Sequence, residues 1–149
     1  MPKKRTLRKS SRGFTLLELM VVLIILSLLA MIALPRFFSR VDEAKITTSR
    51  VQIQNLETAL RLFYLDNGFY PTTEQGLQAL VEAPGDAKHW REGGYLEKKQ
   101  VPKDGWGNPY LYRAPGEGGR EYDILSLGRD GKEGGTGIDA DLKNWEENE

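Results

Sequence analysis

A lone carboxylate in an apolar run, a glycine-rich loop with three aspartates and one histidine are the groups of this 149-residue chain with chemistry open to them. The carboxylate is Glu18, the one charge between Phe14 and Leu34. Ionised near the end of a spanning helix it costs on the order of 2–3 kcal/mol on insertion scales, so it needs a cationic partner. The bland alternative is a carboxyl that stays protonated or reaches the headgroups. The aspartates are Asp130, Asp139 and Asp141, within the loop Leu127 to Asp141. Calcium takes six to eight oxygens, and a flexible glycine-rich backbone can present carbonyls beside carboxylates. Ser126 and Leu127 could add such carbonyls. The register of an EF-hand is absent, and Gly134 to Asp139 matches only one copy of a β-helix calcium repeat, which cannot stack. A solvated acidic turn is the competing reading. His89 has no Ser, Cys or acid patterned around it. Neither a triad, a zinc helix of the HExxH type nor a phosphate loop is present, so an enzyme has little support.

The elements that must position Glu18 are plain. Lys3, Lys4, Arg5, Arg8, Lys9 and Arg12 crowd the first 13 residues, with no acid among them. The run that follows is roughly 20 residues, long enough to cross a ~30 Å hydrocarbon core as a helix. The basic flank orients it with the N-terminus in the cytoplasm and the remainder outside. A plain cleavable signal is the alternative, with Ala30 and Ala33 as a weak site; its apolar core would be shorter. Gly13 stands before the run instead. A cut after Gly13 removes the leader, keeps the membrane helix and gives Phe14 a positive α-amine one turn from Glu18. That amine, on the same or a neighbouring copy, could neutralise the acid.

Of 21 Lys and Arg, six lie in the leader, leaving 15 against 21 Asp and Glu. The exported part is therefore acidic, which argues against a nucleic-acid partner. With no cysteine, such a domain holds together without disulfides, and a bound metal is one way to do so. Pro35 predicts an interruption in the helix, after which Val41, Ala44, Thr48, Val51, Asn55, Ala59 and Phe63 recur at helical spacing. Leu56, Leu60 and Tyr64 widen that face. One interrupted helix thus runs from Phe14 to about Leu65 and ends at Asp66-Asn67-Gly68, with Gly68 as a left-handed cap. Thr72 or Thr73 can cap a short helix with Leu77, Leu80 and Val81 on its apolar face. Tyr110–Arg113 and Tyr122–Leu127 read as a hairpin, with a third strand near Lys99 to Pro102. The sheet is expected to cover Leu56, Leu60 and Phe63 with Trp106, Tyr110 and Leu125. The fold class is α+β. The divisions are a leader removed by a cut after Gly13 (1–13), a membrane helix (14–34), its amphipathic half (35–66) and a globular domain (67–149).

The basic leader, Gly13, Phe14-Thr15-Leu16-Leu17-Glu18 and the apolar run together resemble the class III signal of type IV pilins and pseudopilins. That resemblance implies a type IV pilin-like fold, cleavage after Gly13 by a prepilin peptidase, N-methylation of Phe14 and an assembly role for Glu18. Gly68 to Leu77, Asp104 to Tyr110 and Ser126 to Gly131 are similar to the major pseudopilin family of the type II secretion system. The resemblance covers nearly the whole chain. It implies a self-polymerising inner-membrane subunit that forms a periplasmic filament and drives folded proteins across the outer membrane. Its implied partners are further copies, minor pseudopilins, an inner-membrane platform and an outer-membrane secretin. It also implies calcium in the loop holding Asp130, Asp139 and Asp141, with Ser126 and Leu127. An adhesive or motility pilin is the alternative.

Overall fold

The computed structural model describes residues 13–146, and of residues 33–39 the backbone only. The leader basics Lys3 to Arg12 lie outside the described residues. The chain divides into two units, Met1–Ser39 and Arg40–Glu149. One α-helix, α1 (Leu16–Asn67, 52 residues), enters both.

In the first unit the side chains of α1 are exposed from Leu16 to Ile32. Helix is the right state for such a segment, because it satisfies every backbone N–H and C=O internally. Among the described residues no helix is long and apolar enough to cross a membrane. The side chains of Ala33 and Leu34, which complete the run, are outside that description. Local unwinding at Pro35, one of the two expected forms of interruption, is absent, since the helix continues through it. A proline removes one N–H, and the turns on either side retain their own bonds.

In the second unit α1 buries Ser49, Ile53, Leu56, Ala59, Leu60 and Phe63. Ser49, Ile53, Leu56, Leu60 and Phe63 alternate in steps of four and three, with Ala59 beside Leu60, and make one helical stripe. This stripe is rotated from the expected one: Val41, Val51 and Tyr64 are exposed instead. The reason is Ser49, a polar residue that can be fully buried because its hydroxyl donates to the Lys45 carbonyl (2.9 Å) and accepts the Gly105 N–H (2.8 Å). Gly68 ends the helix at φ 82°, its N–H on the Tyr64 carbonyl (2.7 Å). That left-handed conformation is open to glycine at little cost.

The short helix is a 3-10 turn, Gly76–Leu80, burying Leu77, Ala79 and Leu80. Thr72 accepts the Gln75 N–H (3.2 Å) while Gln75 Oε1 accepts the Thr72 N–H (2.9 Å), a reciprocal pair just ahead of it. Three antiparallel strands follow in the order β1 (Leu111–Arg113), β2 (Asp123–Ser126), β3 (Leu142–Lys143). The hairpin pairs Tyr112 with Ile124 and Leu111 with Leu125. Successive strand residues face opposite ways, so Tyr112 and Ile124 join the helix in the core while Leu125 is buried outside that cluster. Ile124 takes the place expected of Leu125. The third strand is not Lys99–Pro102, which forms no strand; only Lys103 makes a bridge, to Pro109. It is β3, fastened by Asn144, whose N–H donates to the Ile124 carbonyl (3.1 Å) and whose Oδ1 accepts the Ile124 N–H (2.8 Å).

Burial of the core tyrosines keeps them neutral. Tyr112 donates to the Pro71 carbonyl (2.8 Å) and Tyr110 to the Ser49 carbonyl (3.2 Å). Loss of water raises both phenols, and pushes that of Tyr122 up to about 12.

Candidate functional site

Two places carry the residues singled out above, one in each unit. At the start of α1, Gly13, Phe14 and Thr15 are non-helical and exposed, Phe14 at 85%. Thr15 accepts the Glu18 N–H on its hydroxyl (3.1 Å) and the Leu19 N–H on its carbonyl (3.1 Å). Thr15 is therefore the N-cap, and Glu18 occupies the third helical position, as in the Thr-x-x-Glu capping pattern. Sequence reasoning missed this role of Thr15, although the spacing was there to find. A carboxylate in the first turn also meets the positive end of the helix dipole. Gly13 and Phe14 are thus accessible and non-helical, directly ahead of a capped helix.

The second place is the loop from Leu127 to Asp141, between β2 and β3. Arg129 grips Asp139 with two bonds (2.9 and 3.2 Å). Asp130 is exposed and folds back onto the Lys132 N–H (3.2 Å). Asp141 Oδ2 accepts the Gly134 N–H (3.0 Å), and the Asp141 N–H donates to the Gly134 carbonyl (3.2 Å), closing the loop on itself. Glu133 is drawn away to Arg113 (2.8 Å). Ser126 is fully buried and gives its hydroxyl to Asp104 Oδ2 (2.7 Å), while Leu127 is half-buried. Among the described residues no three His, Cys, Asp or Glu side chains converge on a common point. The three aspartates share one loop and are each held by a different group.

His89 is exposed; its backbone N–H donates to Asn67 Oδ1 (3.2 Å). Asp104 and Asn108 are functional-site neighbours the sequence did not single out. Asp104 is buried and accepts the Trp106 and Asn108 N–H groups (3.0 and 2.8 Å). An Asp followed by glycines and an Asn is turn chemistry, and that was the available signal.

Comparison with known proteins ties these two places together. Residues 8–34 match the prokaryotic N-terminal methylation motif, a segment that contains Gly13, Phe14 and Glu18. Residues 36–145 match the family described as type II secretion system, protein G. The chain belongs to that protein G family. A type II secretion system core protein G of Pseudomonas aeruginosa is 49% identical over 142 residues, covering 93% of this chain and 98% of the relative. One of Vibrio cholerae is 46% identical over 143 residues, with 95% of each covered. The crystal structure of the major pseudopilin from the type 2 secretion system of enterohaemorrhagic Escherichia coli superposes with a TM-score of 0.60. It shares 35% identity and covers 72% of this chain and 92% of its own. The pilin-like α+β fold and the role of a major pseudopilin follow, and the adhesive or motility pilin is not favoured.

For this protein G family member the aspartate loop has one feature that fits a cation. Asp141 Oδ1 is buried and has no hydrogen-bond partner among the described residues. An ionised carboxylate is an acceptor only, so a donor or a positive ion is what that oxygen lacks. Asp139 fits less directly, because the Arg129 guanidinium already neutralises it.

Proposed function

We propose that the chain is made as a single-pass precursor with its N-terminus in the cytoplasm, and that a prepilin peptidase cuts the Gly13–Phe14 bond. The exposed, non-helical Gly13–Phe14 segment ahead of the Thr15 cap is the observation that carries this reading. The apolar run from Phe14 to Leu34 supports the membrane span, and the exposed apolar side chains of α1 supply what lipid would cover. Cleavage converts a peptide nitrogen into an α-amine, which is largely protonated near neutral pH. Methylation of Phe14 leaves that charge in place. In the bilayer the Glu18 carboxylate and the amine of a neighbouring copy are each costly alone and less costly as a pair. Pairing therefore sets axial register, and repeating the same head-to-tail contact grows a filament rather than a closed ring.

The filament does mechanical rather than catalytic work. Subunits are added from the inner-membrane platform, minor pseudopilins begin or cap the fibre, and its growth pushes folded cargo through the outer-membrane secretin. Calcium is the proposed cofactor of the globular domain. Asp141 and Asp130, with carbonyls from Ser126 and Leu127, would hold it, and Asp139 would join once Arg129 releases it. A bound ion supplies fixed positive charge among these oxygens and ties the end of β2 to β3, the task a disulfide performs elsewhere.

N-terminal mass spectrometry of the mature protein from membranes tests the reading. A mature chain beginning at a methylated Phe14 is expected. Retention of Met1, or loss of the whole apolar segment, would overturn it.

A further inference from the structure

Asp130 is exposed on a stretch with neither helix nor strand, and its side chain makes only a local bond, from the Lys132 N–H (3.2 Å). Asn108 reaches the backbone just ahead of it. Its Nδ2 donates to the Gly128 carbonyl (3.0 Å), two residues before Asp130. A Cβ built on Gly131, one residue after Asp130, would stand 3.7 Å from the same amide group. The backbone turn around Asp130 therefore lies against one side chain.

Asn108 is itself fixed from beneath. Its N–H donates to Asp104 Oδ1 (2.8 Å) and its carbonyl accepts the Asp104 N–H (2.9 Å). Asp104, 6% exposed, takes the Ser126 hydroxyl on its other oxygen (2.7 Å). The turn is anchored to α1 through the Gly105 N–H on Ser49 Oγ (2.8 Å). Gly105 sits so near the Lys45 backbone that a Cβ there would overlap the Lys45 carbonyl. A chain of short bonds thus runs from α1 through Ser49, Gly105, Asp104 and Asn108 to the Gly128 carbonyl, two residues before Asp130.

We propose that Asn108 is a positioning residue for the loop's cation site, setting divalent-cation affinity from outside the coordination sphere by fixing the backbone just ahead of Asp130. The inference rests on the calcium reading above. The physical reason is the ordering cost of binding. A glycine-rich loop free to wander loses that freedom when it closes on an ion, and a loop already pinned loses less. By donating to Gly128, Asn108 also removes one carbonyl from the set that could turn toward the metal, which limits the loop to fewer arrangements. Outer-shell partners of metal ligands are typically worth 10–100-fold in affinity.

The test uses the full chain in detergent micelles, stripped of metal with a chelator and titrated with calcium chloride by calorimetry. Tm is recorded with and without the ion. Wild type is expected to bind calcium and melt higher in its presence. Asn108→Ala is expected to weaken binding by about 10-fold or more. Asn67→Ala serves as comparator: Asn67 bonds Tyr95 and the His89 N–H (3.0 and 3.2 Å), outside this chain of bonds. It should lower the metal-free Tm and leave calcium affinity unchanged. Wild-type affinity in Asn108→Ala, with a calcium-responsive wild type, overturns the inference and leaves the calcium reading standing. Equal weakening in Asn67→Ala also overturns it, by making the effect general destabilisation. A wild type indifferent to calcium overturns both. Should Asn108→Ala fail to fold, Asn108→Ser carries the test: weaker binding than wild type is expected, and equal binding refutes it.

Discussion

The two halves of α1 are one helix built to opposite plans. From Leu16 to Ile32 it is rich in Leu, Ile, Val and Met, and these side chains are exposed. From Arg40 to Asn67 it carries Arg, Asp, Glu and Thr among its apolar residues, and a stripe of six residues is buried. Residue hydrophobicity therefore does not tell which half is packed; what lies beside it does. The second half meets the aromatic side of a sheet within its own unit. The first presents its apolar surface to whatever surrounds the molecule, and a patch of that extent marks an interaction surface. One half keeps the subunit folded, and the other leaves its apolar surface open.

This division can be broken by substitution, and the largest effect is expected at Glu18. Glu18→Ala removes the acid that would pair with a neighbour's amine, and the change falls outside the unit that holds the core. Filaments should disappear in cells overproducing the protein, while the membrane-inserted subunit accumulates with the Tm of wild type. Normal filament yield by electron microscopy would remove Glu18 from the assembly step. A smaller and opposite pattern is expected of leucines. Leu60 is fully buried against Phe63 and its neighbours, so Leu60→Ala should cost about 2–5 kcal/mol of stability, as other buried Leu→Ala changes do. Leu26, 55% exposed, should cost the globular domain nothing when changed to Ala. Denaturant melts of the two variants in micelles decide the point, and equal losses would mean that the halves are not separate plans.

What could be read in the sequence follows the same division. The signal at Gly13, Phe14 and Glu18 is contiguous, and its meaning depends on neighbours along the chain. The hairpin was legible because aromatic and branched residues cluster on either side of a Pro–Gly turn. The buried stripe of α1 was misplaced by a fraction of a turn, because it passes through Ser49, whose burial depends on a bond from Gly105 far along the chain. The strand β3 was missed because two residues carry no period, and its place is set by Asn144 bonding both polar groups of Ile124. In the aspartate loop the residue types were visible but their partners were not. Arg129 captures Asp139, and Asn108 reaches Gly128 from 20 residues away. Such choices are made by the folded backbone, and no local pattern records them.

The smallest effect expected is a dependence on acid, and it belongs to the packed half alone. Asp123 is 1% exposed, with Arg120 bonding both carboxylate oxygens (2.6 and 3.1 Å) and the Glu117 N–H adding a third bond (2.9 Å). The Arg120 guanidinium lies over the Trp145 ring (3.9 Å to the centroid), which places Asp123 at the junction of β2 and the C-terminal segment. These bonds, Arg120's foremost, hold the Asp123 carboxyl below the usual range against the opposing effect of burial. In the unfolded chain the group titrates near 3.9. Between the lowered native value and that one, the unfolded chain binds a proton that the native state does not, so stability rises with pH across the window. The contribution is complete above about pH 4 and is lost as pH falls through the native value. Asp123→Asn removes this titration, so its stability should change less steeply than that of wild type when denaturant melts are compared from neutral to acid pH. An unchanged slope would show that other carboxylates govern the acid limb. A comparable slope change on altering Glu18 would show that the exposed half shares in the stability of the packed one.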